Sequence, residues 1–184
     1  RFLLVDDHPQ IRLLVRTILH ALGARDMIEA SDGGEGLKMA TSSQPDIVIT
    51  DWAMEPMSGV EMVKTMRESH DNAIKYMPVI MLTGFSERGR IMAARDSGIN
   101  EYLLKPVSPT SLYSRIRSVI EQPRRFVKTS VYFGPDRRRG KEKFDGNDKR
   151  GTEETGASVD LSVQMTQSEI EEQCAQEMAK KNRR

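Results

Sequence analysis

Ile47-Val48-Ile49-Thr50-Asp51 is a short, nearly continuous apolar and β-branched run closed by a carboxylate. A run of that length without polar alternation fits a strand covered on both faces. Four further runs accompany it along the chain: Phe2 to Val5, Met27 to Ala30, Val79 to Leu82 and Tyr102 to Leu104. Helical patterns lie between them. Ile11, Leu14, Val15, Ile18 and Leu22 follow one helical stripe, opened by Pro9 and stopped by Gly23, and Leu112, Ile116, Val119 and Ile120 form another before Pro123. Weaker patterns predict helices over 34–42, 59–69 and 87–97. Five strands alternating with five helices predict an α/β fold with a doubly wound parallel sheet, because each parallel crossover needs a helix and keeps one hand.

The apolar residues are unevenly shared. Of 69, 53 fall within residues 1–122 and 16 within 123–184, so the first segment can build a core and the second lacks the apolar surface to do so. The expected organisation is a domain over 1–122 and a polar, mostly irregular extension over 123–184. The net charge of +1 conceals ten basic against four acidic side chains over 124–150, and four against seven over 151–184. Cys174 is the single cysteine, which excludes an intrachain disulfide and a zinc site built on clustered thiolates and suits a reducing compartment. No run approaches the roughly eighteen apolar residues of a membrane span, and Asp6 and Asp7 cut short the apolar start, so neither a membrane helix nor a signal peptide is predicted. The protein reads as cytoplasmic. A start at Arg1 instead of Met suggests a trimmed N-terminus and leaves open whether residues precede it.

In an open α/β sheet, ligands sit beyond the carboxyl ends of the strands, where the strand order reverses. The first run leads into Asp6 and Asp7, the third into Asp51, the fourth into Thr83 and the fifth into Lys105 and Pro106. Three carboxylates, a hydroxyl and an ammonium are thus expected on one edge. Each alone means little: a loop Asp is commonly a cap. Together they make a site, because crowded carboxylates repel and a hard divalent cation such as Mg²⁺ relieves them through oxygen ligands. A cation beside a free carboxylate, faced by Lys and Thr, suits a phosphoryl group, with the carboxylate as nucleophile.

The motifs Val5-Asp6-Asp7, Asp51-Trp52-Ala53-Met54 with Met57 and Gly59, Leu82-Thr83-Gly84, and Tyr102-Leu103-Leu104-Lys105-Pro106 occur in this order over residues 1–122. The segment resembles the receiver domain of two-component response regulators, most of all the chemotaxis type. The resemblance implies a flavodoxin-like sheet of order 2-1-3-4-5 and a phosphoprotein switched by aspartyl phosphate. It further implies Asp51 as phosphoacceptor, and Mg²⁺, or Mn²⁺ in its place, held by Asp7, Asp51 and the Ala53 carbonyl, with Asp6 acting through water. Lys105 would pair with the phosphoryl oxygens, Thr83 would swing toward them and Tyr102 would turn inward. The charge added by the phosphoryl group would repack the face of the fourth helix, fifth strand and fifth helix for partners to read. The implied partners are a sensor histidine kinase or histidine phosphotransfer protein, a downstream protein, and a second copy through that face or the tail. Glu55-Pro56 places the proline one position later than is usual in the family, and Ala53 and Phe85 stand where residues tune hydrolysis.

His8, His20 and His70 are read as loop or helix-surface residues, since a hard oxygen site has little use for imidazole. Trp52 is read as a partly exposed neighbour of the site, the Met54, Met57, Met62 and Met66 set as loop and core packing, and Gly33, Gly34 and Gly36 as a turn into the second helix. In the extension, Phe126, Tyr132 and Phe133 interleave with Arg124, Arg125 and Lys128 ahead of Arg137, Arg138 and Arg139, an aromatic-cationic arm over 124–139. Docking on a receiver domain, a solvated linker and nucleic-acid stacking are the readings, in that order. Ser168 and Glu171 make a capping box ahead of Ile170, Cys174 and Met178, predicting a short helix over 168–182. The expected function is that of a signalling phosphoacceptor without a DNA-binding output domain, and not an enzyme beyond self-catalysed phosphoryl transfer and autodephosphorylation. The rivals are a nucleic-acid-binding regulator acting through 124–150, and an aspartyl-nucleophile phosphohydrolase, which would want a carboxylate where Ala53 stands.

Overall fold

The computed structural model describes residues 1–84, 96–129 and 132–136. The elements run β1 (Phe2–Val5), α1 (Pro9–Ala21), β2 (Met27–Ala30), α2 (Gly33–Ser43), β3 (Ile47–Asp51), α3 (Gly59–Glu68), α4 (Asn72–Lys75), β4 (Val79–Thr83), β5 (Glu101–Leu104), α5 (Pro109–Glu121), β6 (Phe126–Lys128) and β7 (Phe133–Pro135). The first five strands form one sheet of order β2-β1-β3-β4-β5, and every neighbouring pair is parallel. All five expected strands are present. Two end one residue later than their apolar runs, so that Asp51 and Thr83 are the last residues of β3 and β4. The predicted helix over 87–97 falls outside the described residues except for its last two positions, and the helix over 168–182 falls outside them entirely.

Because successive side chains of a strand point to opposite faces, the continuous apolar runs feed two cores. Leu3, Val5, Val48, Val79 and Met81 pack on one face with Ala40 of α2 and Met62, Val63 and Met66 of α3. Leu4, Ile47, Ile49, Ile80, Leu82 and Leu103 pack on the other with Val15, Ile18 and Leu19 of α1 and Leu112, Ile116 and Val119 of α5. Each fully buried side chain of this kind contributes about 1.5–3 kcal/mol. The helical stripes need two adjustments. Leu14 is 41 % exposed while Leu19 is buried, and Ile120 is 63 % exposed, since it lies in the last turn of α5 on the solvent side. Helix starts follow their caps: Ser58 and Glu61 form a capping box on α3, and Ser108 and Ser111 do so on α5 behind Pro109. Among the described residues no helix is long and apolar enough to cross a membrane.

Past α5, the described residues 123–129 and 132–136 stay against the domain. β6 and β7 form an antiparallel hairpin whose Phe126 and Phe133 rings meet Tyr76 edge-on at 5.0 and 5.4 Å. Beneath them lies Arg67, which is buried and donates to the carbonyls of Gly98 and Lys75 and to Asn100 Oδ1, with its guanidinium 5.1 Å from the Phe126 ring. Burial pushes this guanidinium down to about 10, so it remains charged at neutral pH. Lys75 lies 4.7 Å from the Phe133 ring, and Arg124 pairs at 2.7 Å with Glu101, a carboxylate buried at the start of β5. Gly134 is required here: a Cβ would fall 2.5 Å from Tyr132 Oη and 2.8 Å from Gly98 Cα. The hairpin therefore covers the amino ends of β4 and β5. The interleaved aromatics of the arm pointed to docking on a receiver domain, but not to a hairpin, because six residues of strand carry too short a pattern to stand out.

Candidate functional site

The opposite, carboxyl end of the sheet gathers the acidic residues. β1 stops at Val5, and Asp6 N–H still donates to the Ala30 carbonyl at 3.2 Å, which carries the chain straight into a buried Asp6. The Asp6 carboxylate is held from two sides, Oδ1 by the His8 amide at 2.9 Å and Oδ2 by Lys105 Nζ at 3.0 Å. Asp51 closes β3, is 7 % exposed, and receives Lys105 Nζ on Oδ1 at 2.7 Å and the Ala53 amide on Oδ2 at 3.2 Å. One ammonium thus bridges two carboxylates from neighbouring strands. Burial alone would push the Lys105 ammonium down, but hydrogen bonds and charge from Asp51 and Asp6 outweigh it and hold the group above its ordinary value.

Lys105 reaches this position because its own amide donates to the Thr83 carbonyl at 2.8 Å, extending the β4–β5 ladder by one residue beyond Leu104. Thr83 is buried at 3 % exposure at the end of β4, and Tyr102 is half-buried in β5 opposite Met81, against the core under α2 and α3. Asp7 points outward, its side chain 38 % exposed and 2.6 Å from His8 Nδ1. Asp6, Asp7 and His8 offer ligand atoms within 4.8 Å of one another. A separation of 2.6 Å between a ring nitrogen and a carboxylate oxygen is a hydrogen bond, and a hard cation prefers the oxygens.

The loop after Asp51 is pinned at both ends. Trp52 N–H donates to the Leu82 carbonyl at 3.0 Å and Gly59 N–H to the Trp52 carbonyl at 3.1 Å, while Gly33 N–H, at the start of α2, donates to the Met57 carbonyl at 3.0 Å. Gly59 has no room for a side chain, since a Cβ there would lie 1.9 Å from the Asp51 carbonyl oxygen. The exposed Ala53 leaves the approach to Asp51 uncrowded from that side, while Met54, Met62 and Met66 are buried and Met57 packs against the same core. Phe85 and Arg137 to Arg139 lie outside the described residues. Of the arm residues, Phe126 and Phe133 dock on Tyr76 and Tyr132 donates its hydroxyl proton to the Pro135 carbonyl, far from the acidic edge. Sequence reasoning missed Arg12 and Glu29. Arg12 Nη1 donates to the Asp6 carbonyl at 2.5 Å and its Nε to Glu29 Oε2 at 3.2 Å. The only signal was a cation one helical turn past the acidic pair.

A five-stranded 2-1-3-4-5 sheet that brings paired aspartates, a third aspartate and a lysine to one edge defines a class. The chain belongs to the response regulator receiver domain family, whose model matches residues 2–117. Its relatives include proteins of the chemotaxis type. It is 34% identical to chemotaxis protein CheY-3 of Vibrio cholerae over 122 residues, covering 66% of this chain and 92% of that one. It is 33% identical to chemotaxis protein CheY of Pseudomonas aeruginosa, covering 66% and 97%. The solved structure of the chemotaxis response regulator CheY4 of Vibrio cholerae is similar at a TM-score of 0.59 and 31% identity, covering 64% of this chain and 96% of that one. That family places the chain among the response regulators of bacterial two-component signal transduction, a phosphoacceptor signalling class.

Proposed function

We propose that Asp51 accepts a phosphoryl group from a histidine kinase or histidine phosphotransfer protein, and that the phosphorylated state is passed on by protein contacts. The observation that carries this is the Lys105 ammonium bridging Asp51 and Asp6 at 2.7 and 3.0 Å at the carboxyl edge of the sheet. In the transfer, a carboxylate oxygen of Asp51 bonds to phosphorus as the bond from phosphorus to the donor imidazole nitrogen breaks, and the released imidazole takes up a proton from solvent. Lys105, already in contact with Asp51, then faces the phosphoryl oxygens. Thr83 and Tyr102 respond to the new charge, and the face of β5 and the helices beside it carries the change to a partner. A homodimer through that face is one such contact.

The donor set fits a hard divalent cation: carboxylates of Asp6 and Asp7 lie side by side and Asp7 opens to solvent. Asp7, Asp51 and the Ala53 carbonyl would hold Mg²⁺ directly, or Mn²⁺, with Asp6 acting through water. A bound ion there neutralises negative charge on the incoming group. The division into a receiver over 1–122 and a polar extension, with output through protein and not DNA, and a cytoplasmic location complete this reading. Stacking on nucleic acid is disfavoured because Phe126 and Phe133 already pack on Tyr76. A phosphohydrolase would lack its acid at Ala53.

Incubation with acetyl phosphate and Mg²⁺ is expected to label the wild-type chain and not Asp51→Asn. Equal labelling of both would remove Asp51 from its role.

A further inference from the structure

We infer that Arg12 is a positioning residue for the acidic edge, setting the peptide plane between Asp6 and Asp7 and so the direction in which Asp7 offers its carboxylate to a divalent cation. This rests on the metal-binding reading above. Asp6 lies one residue beyond the last paired position of β1, where the ladder no longer supplies a donor for its carbonyl. That carbonyl belongs to a residue 3 % exposed, and a buried carbonyl left unpaired is costly. Arg12 Nη1 supplies the donor at 2.5 Å, from one turn into α1.

The guanidinium is itself anchored. Its Nε binds Glu29 Oε2 on β2 at 3.2 Å, the second oxygen of Glu29 receives Arg16 Nη1 at 3.4 Å, and the Arg12 side chain is 17 % exposed. A rigid fork can hold a strand-end carbonyl and a neighbouring strand's carboxylate at once, which a lysine cannot. Because the peptide unit is planar, holding the Asp6 carbonyl orients the Asp7 amide and Cα with it. The Asp6 carboxylate does not need this help, since His8 N–H and Lys105 grip it directly. Asp7 does: its half-exposed carboxylate meets His8 Nδ1, and none of the described contacts ties it to the strands.

Charge and position make opposite predictions, which allows a clean test. Removing a cation near carboxylates should, by electrostatics alone, tighten Mg²⁺ binding. Loss of positioning should weaken it, and partners standing behind a ligand are worth about 10–100-fold in metal affinity. Calorimetric titration of the full chain with Mg²⁺ is therefore expected to show a half-saturating concentration about ten-fold higher in Arg12→Gln. Arg12→Lys, which keeps the charge and loses the fork, should rise at least about three-fold. Wild-type or tighter binding by a folded Arg12→Gln overturns the inference and leaves the metal reading standing. Should circular dichroism show Arg12→Gln unfolded, a wild-type value in Arg12→Lys overturns it instead. A wild-type chain that takes up no Mg²⁺ overturns both.

Discussion

Lys105 is the residue on which the acidic edge balances. Without its ammonium, Asp6 and Asp51, both nearly buried, would face each other with the His8 and Ala53 amides and, for Asp6, the His8 ring at 3.5 Å as their partners among the described contacts. Lys105→Gln should cost about 1.5–3 kcal/mol in urea unfolding at pH 7, the range for a hydrogen bond to a charged group. The pH dependence has a definite sign. Folding raises the Lys105 value, so its contribution is present in full below the ordinary lysine range of about 10.4 and is lost as pH climbs through the higher folded value. The stability difference between wild type and Lys105→Gln should hold from neutral pH to about 10 and shrink above it; a difference growing with alkalinity would contradict the assignment. Gly59 is the second such position. A methyl group 1.9 Å from the Asp51 carbonyl must displace that strand end, so Gly59→Ala should destabilise by about 1–3 kcal/mol and reduce acetyl phosphate labelling together.

At the scale of elements, the hairpin of β6 and β7 is a structural part of the receiver end it covers. It roofs the buried Arg67 with Phe126 and supplies Arg124 to the buried Glu101. A chain ended at residue 122 would lose Arg124, and with it the 2.7 Å ion pair on the buried Glu101. Breaking a buried ion pair from one side is costly, so truncation after 122 should lower the urea midpoint clearly. Phe126→Ala in the full chain should cost about 2 kcal/mol from its ring contacts and its cation–π contact. Midpoints equal to wild type for both would mean that the hairpin rests on the domain without stabilising it.

Across the whole molecule the two features lie at opposite ends of the strands. Asp51, Thr83 and Lys105 stand at carboxyl ends, while Tyr76, Gly98 and Asn100, which meet the hairpin or Arg67, precede the amino ends of β4 and β5. A five-residue strand spans roughly 17 Å, beyond the distance at which substitutions without shared partners interact. Phe126→Ala should therefore leave the extent of acetyl phosphate labelling unchanged while lowering stability. A fall in labelling at temperatures where the variant is folded would show that the two ends communicate.

Strand positions, their parallel class and the residues at their carboxyl ends were legible in the order of residues, because an apolar run covered on both faces and a polar residue ending it are local patterns. Asp6, Asp7, Asp51, Thr83 and Lys105 could be read in this way one by one. The bridging of Asp6 and Asp51 by one ammonium, the grip of Arg12 on the Asp6 carbonyl and the seating of Phe126 over Arg67 could not. Each depends on distances between residues 6 to 99 positions apart in the chain, which are set only when the sheet order lines up the carboxyl ends of β1, β3, β4 and β5 on one edge and the hairpin folds back. The sequence by itself determined which chemical groups reach the edge; tertiary structure alone decided which of them touch, because short-range periodicity carries no information about long-range contact.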